Sequence, residues 1–176
     1  MTKKVANSNQ TLEIPKPILL TGKFIAFISP KLATLYTAKL FTTPLKHKVP
    51  KREAGMNTNS SQNTITVPEI KKEIVVYEYG TSQKKVLLVH GWSGRGTQLF
   101  KIADELVRQG YATVSFDAPG HGKSPGNNSI IVDFIESILE INKQYGPFEA
   151  AIGHSLGGMS VLNAIKQGLK VKNATV

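Results

Sequence analysis

The sequence predicts an α/β fold on a mostly parallel sheet, preceded by a basic helical extension, and three observations carry that prediction. An apolar run, a glycine-rich loop and an amphipathic stretch follow one another three times between Val86 and Gln167. Each apolar run is short and continuous, as expected of a strand covered on both faces. Basic residues are concentrated ahead of these repeats rather than within them. Strict alternation of strand and helix implies parallel strands joined by helical crossovers.

The elements follow in order. Residues 64–67 and 74–79 are expected as the first two strands. Residues 86–89 (Val-Leu-Leu-Val) form the next, followed by His90-Gly91-Trp92-Ser93-Gly94-Arg95-Gly96. A helix over about 97–109 carries Leu99, Ile102, Ala103, Leu106 and Val107 on one face, and Gly110 stops it. Residues 111–116 are a strand closed by Asp117-Ala118-Pro119-Gly120-His121-Gly122-Lys123-Ser124. Ser129 reads as the N-cap of a helix whose Ile131, Phe134, Ile135 and Ile138 face inward. That helix ends near Tyr145-Gly146-Pro147, and residues 148–152 are the fifth strand. A helix over about 155–167 follows, with Met159, Leu162 and Ile165 on its inner side. Val171 and Ala174-Thr175-Val176 read as the beginning of a sixth strand.

Between the fifth strand and its helix stands Gly153-His154-Ser155-Leu156-Gly157. A chain that reverses there lifts Ser155 above the sheet edge in a strained conformation. Gly153 and Gly157 flank the serine because a side chain at either position would collide with the neighbouring strand or helix.

Three ordered motifs therefore stand at strand ends: His-Gly-Trp, Asp-Ala-Pro-Gly-His-Gly-Lys-Ser and Gly-His-Ser-Leu-Gly-Gly. Together they resemble the α/β-hydrolase superfamily, over about residues 64–176. The resemblance implies a serine hydrolase acting on a small-molecule acyl ester, carboxylesterase- or lipase-like, with Ser155 as nucleophile and no cofactor. It implies an oxyanion hole from the backbone N–H groups of Trp92 and Leu156, since acyl transfer builds negative charge on a carbonyl oxygen. His90, Gly91, Asp117, Gly153 and Gly157 then shape the loops around the serine. The family's acid and histidine follow the serine in sequence order, yet no Asp, Glu or His occurs after Ser155. The expectation is an N-terminal portion of such a domain, incomplete near strand six and lacking those two groups. The alternative is a catalytically inactive hydrolase-fold protein that binds a membrane surface or a partner.

Of the four histidines, His154 adjoins the serine, and the turn should send the two side chains in different directions. His90 lies on a neighbouring loop, where the resemblance makes it a loop former rather than a base. His121 and Asp117 are expected to organise the loop after the fourth strand, and His47 lies in the basic segment.

Two other motifs are set aside. Gly122-Lys123-Ser124 suggests a phosphate loop, but the glycine needed five places earlier is Asp117, and Pro125-Gly126 blocks the following helix. Gly91, Gly94 and Gly96 run G-x-x-G-x-G, not the order a dinucleotide site requires.

Residues 1–53 hold ten Lys/Arg against two Glu, a net +8; residues 54–176 hold twelve against ten acids, a net +2. The apolar run over 18–28 contains Lys23 and is too short to cross a bilayer. Ser29-Pro30 reads as a helix start, with Leu32, Leu35, Tyr36 and Leu40 as an apolar stripe. Residues 1–53 are thus a basic, partly helical extension, and residues 54–63, rich in Ser and Asn, read as a linker. The extension either packs on the hydrolase part with its lysines in water or attaches to an anionic membrane surface. No recognition motif accompanies the charge, so nucleic acid is not expected as a partner. With no cysteine there are no disulfides or thiolate metal sites, which fits a cytoplasmic protein.

Overall fold

A computed structural model of the chain describes residues 14–176, and the chain divides into two units at Phe41 and Thr42. The first unit holds helices α1 (Lys16–Ile28) and α2 (Pro30–Phe41), which pack on each other. The Ser29 hydroxyl accepts the Leu32 N–H at 3.4 Å, as the expected start of α2 requires. No described helix is long and apolar enough to cross a membrane.

The second unit is an α/β body. Its elements are α3 (Ala54–Asn59), β1 (Ser61–Val67), β2 (Lys72–Tyr79), β3 (Lys85–Val89), α4 (Phe100–Arg108), β4 (Ala112–Asp117), α5 (Ile131–Tyr145), β5 (Ala150–Gly153), α6 (Leu156–Lys166) and β6 (Asn173–Thr175). The strands form one sheet in the order β1-β2-β4-β3-β5-β6. β4, β3, β5 and β6 run parallel; β2 is antiparallel to β4 and to β1. Helical crossovers impose the parallel part. The antiparallel edge follows from the tight Pro68–Ile70 turn that joins β1 to β2.

β3 sits between β4 and β5, and the chain leaves it in opposite directions. Helix α4 packs on one face with Val86, Leu88, Ala103 and Met56. Helices α5 and α6 pack on the other, around Leu87, Val89, Phe116, Phe134 and Ile138. The loops after β3, β4 and β5 therefore converge at one end of the sheet, where strand order reverses.

Four expectations are corrected. Residues 54–63 are no linker but α3 and the start of β1, because Met56 is buried beneath α4 and anchors a polar stretch. The extension ends, as a unit, at Phe41 rather than at residue 53. Ser129 does not cap α5: its own N–H donates to the Thr42 carbonyl, and the Asp133 carboxylate accepts the Ile130 N–H at 2.9 Å. Met159 and Leu162 face outward, 56% and 47% exposed. The inner stripe of α6 is Gly157, Gly158, Val161 and Ala164, small enough for the helix to lie close against β3 and β5.

Candidate active site

β3 and β5 pair in register with Val89 opposite Gly153, so the loops that follow them leave the sheet side by side. The His154 N–H donates to the Val89 carbonyl at 2.9 Å, which carries the pairing one residue past the strand. The chain then reverses at Ser155, whose φ of 55° and ψ of −119° lie in a region costly for a residue with a Cβ. Ser155 is solvent-exposed and immediately precedes α6, whose first amide belongs to Leu156. The first amides of a helix have no partner within it and carry its positive end.

The glycines explain how tightly this turn is held. A Cβ on Gly153 would sit 2.6 Å from the Gly157 carbonyl carbon, and one on Gly157 would overlap the Val89 and His90 carbonyl oxygens. A Cβ on Gly91 would lie 3.0 Å from His154 Nδ1 and 3.3 Å from the Ser155 Cβ. The loop after β3 thus passes directly against Ser155, with Trp92 the next residue along it. Trp92 is partly exposed, and its ring meets the His121 ring edge-on at 5.1 Å.

Both nitrogens of His90 are engaged. Nε2 accepts the Ala118 N–H at 3.0 Å, so the proton resides on Nδ1, which donates to the Gly91 carbonyl at 2.7 Å. Burial pushes its pKa down to about 4. A neutral ring fixed at both ends ties the loop after β4 to the loop after β3. It has no nitrogen to offer Ser155.

His121 is buried against His90, Trp92 and Phe134, with Nδ1 3.0 Å from the Pro119 carbonyl. Burial first, then the neighbouring His90, lowers its pKa to about 4. Asp117 is fully buried and accepts from the Gly96 N–H, the Lys123 N–H and the Tyr77 hydroxyl at 2.6, 2.6 and 2.8 Å. Desolvation raises its pKa despite these donors. Its lone pairs are spent on holding two loops. Lys123 reaches Asn57 and Gln62 and lies 5.5 Å above the Tyr77 ring. His47 and His154 are exposed.

Sequence reasoning missed Glu53. Its carboxylate, 2% exposed, accepts two bonds from Arg95 at 3.1 Å and one from the Thr97 hydroxyl at 2.7 Å. It therefore clamps the far end of the loop that carries Trp92. Leu45 adds a second tie, its N–H donating to the Ser93 hydroxyl at 3.0 Å. No local signal marks Glu53, a lone acid at the end of a basic stretch.

A family model described as "Serine aminopeptidase, S33" matches residues 80–175, just over half of the chain. The chain belongs to this α/β-hydrolase family. Family members and neighbours agree with the architecture. Monoglyceride lipase of Saccharomyces cerevisiae is 35% identical over 100 residues, which is 51% of this chain and 32% of that protein. A serine hydrolase-like protein of Dictyostelium discoideum is 32% identical over 82 residues, 43% of this chain and 23% of that one. Among solved structures, monoacylglycerol lipase of Paleococcus ferrophilus superposes with a TM-score of 0.53 at 30% identity, covering 57% of this chain and 41% of the lipase. An esterase of Pyrococcus furiosus gives 0.62 at 17% identity, covering 75% and 56%. The hydrolase-family chain thus spans about a third of the first of these curated relatives and about a quarter of the second.

Proposed function

We propose that this chain carries the nucleophile and oxyanion half of a serine hydrolase that cleaves the acyl ester of a small lipid-like alcohol, of the monoacylglycerol class. The observation that carries the reading is the backbone of Ser155: a strained, exposed serine at the start of α6, against the Gly91-Trp92 loop. Similarity to two lipases named for the same substrate class supports the choice of ester.

In this reading the Ser155 Oγ attacks the ester carbonyl carbon, and its proton passes to a general base. The carbonyl oxygen becomes an oxyanion held by the Leu156 and Trp92 amides. Collapse expels the alcohol, which takes up the proton, and leaves an acyl-enzyme that water then hydrolyses. The exposed turn suits the attack, since the serine reaches an ester from outside the sheet. Among the described residues near Ser155, His90 has both nitrogens engaged and His121 is buried among rings, so neither is the base in this reading.

The test is fluorophosphonate labelling of the chain and of its Ser155→Ala variant. Labelling that disappears in Ser155→Ala supports the proposal. Labelling that survives Ser155→Ala overturns it. Hydrolysis of a monoacylglycerol but not of an aminoacyl anilide fixes the substrate class; the reverse preference would place the activity with peptides instead.

A further inference from the structure

Helices α1 and α2 bury none of their residues. Half-buried positions form a narrow seam, Ile18, Gly22 and Ile25 on one helix and Ala33 and Tyr36 on the other. The large apolar side chains otherwise point outward. Leu20, Phe24 and Phe27 stand at i, i+4 and i+7, one row along α1, with Phe27 90% exposed. Leu32 and Leu35 extend the exposed apolar surface on α2.

Charge supplies the second observation. Residues 14–41 contain four Lys and no Asp or Glu. Lys16 and Lys23 each precede a member of the α1 row by four residues, so they border it. A lysine so placed lays its stem along apolar surface and holds its ammonium at the polar boundary.

We propose that the helical pair Lys16–Phe41 is a peripheral anchor lying in the headgroup region of an anionic lipid bilayer, with Leu20, Phe24 and Phe27 in the acyl layer and the lysines on lipid phosphates. With 13 residues, α1 is too short to span, and an apolar row edged by lysine is the pattern of an in-plane helix. A second copy is a poorer occupant, because it would bring like-charged lysine rows together. Nucleic acid would use the charge and leave the leucines and phenylalanines in water. The proposal is independent of the esterase reading, since its readout is binding.

The full 176-residue chain is sedimented with vesicles of phosphatidylcholine alone or doped with phosphatidylglycerol. Partitioning is expected to be roughly tenfold or more stronger on the anionic vesicles and to weaken as salt rises. Lys16→Glu with Lys23→Glu should erase the preference for anionic lipid, and Phe24→Ser with Phe27→Ser should lower binding to both. These positions are exposed, so far-UV circular dichroism should be unchanged in either variant. A Phe27→Trp reporter should shift its emission to the blue on anionic vesicles. Equal binding to neutral and anionic vesicles, or no blue shift, overturns the proposal. So does a chain that dimerises through Phe24 and Phe27 and ignores lipid.

Discussion

Helices α1 and α5 are of similar length and both rich in Ile, Leu and Phe, yet α5 buries seven residues and α1 buries none. The difference lies in what faces them. α5 lies across a sheet whose strands are themselves apolar, and Phe134, Ile135, Ile138 and Ile141 close on Leu87, Val114 and Phe116. Within its own unit and among the described residues, α1 packs on α2 through a seam of five half-buried residues. Apolar content thus states what a helix can bury; a matching surface decides whether it does.

Four measurements break or sharpen this contrast. The largest effect is expected for Phe134→Ala, which empties the centre of the core and should cost about 4 kcal/mol in urea unfolding; a loss below about 1 kcal/mol would mean α5 is no better seated than α1. Glu53→Gln should cost about 3 kcal/mol, since it leaves the largely buried Arg95 guanidinium without its counter-charge. A shift near zero there would show the clamp to be dispensable.

Acid provides the third. The folded state holds His90 and His121 at about 4, below the ordinary 6.5, so between these values the unfolded chain binds more protons. Stability should therefore be complete above about pH 6.5 and fall as pH drops toward 4, by up to about 3 kcal/mol per histidine. Asp117, raised by burial, acts in the opposite sense. Comparing His121→Phe with the parent isolates the histidine part: its stability should slope less steeply over that window, and an unchanged slope would contradict the assignment. Smallest is Phe27→Ala, expected within about 0.5 kcal/mol of the parent because the ring has nothing folded to leave. A loss as large as that of Phe134→Ala would show that α1 packs as firmly as α5.

Much of the body was legible in local pattern. Continuous apolar runs marked β3 and β4, and helical spacing placed Phe134 and Ile138 inward. The turn at Ser155 was readable because glycines stand where a Cβ would strike neighbouring backbone, a local necessity written into the sequence. The inner face of α6 was misread for the complementary reason. Periodicity ranks residues by hydrophobicity, while close approach to β3 and β5 selected the small ones and turned Met159 and Leu162 outward.

By itself the sequence determined the α/β class, the order of strands and helices, and the place of the strained serine, since each follows from neighbours a few residues apart. Tertiary structure alone decided that Glu53 grips Arg95 across 42 residues, that a stretch rich in Ser and Asn folds over Met56, and that His90 spends both nitrogens on backbone. Those outcomes depend on which distant surfaces meet, and hydrophobic period carries no information about a partner's distance along the chain.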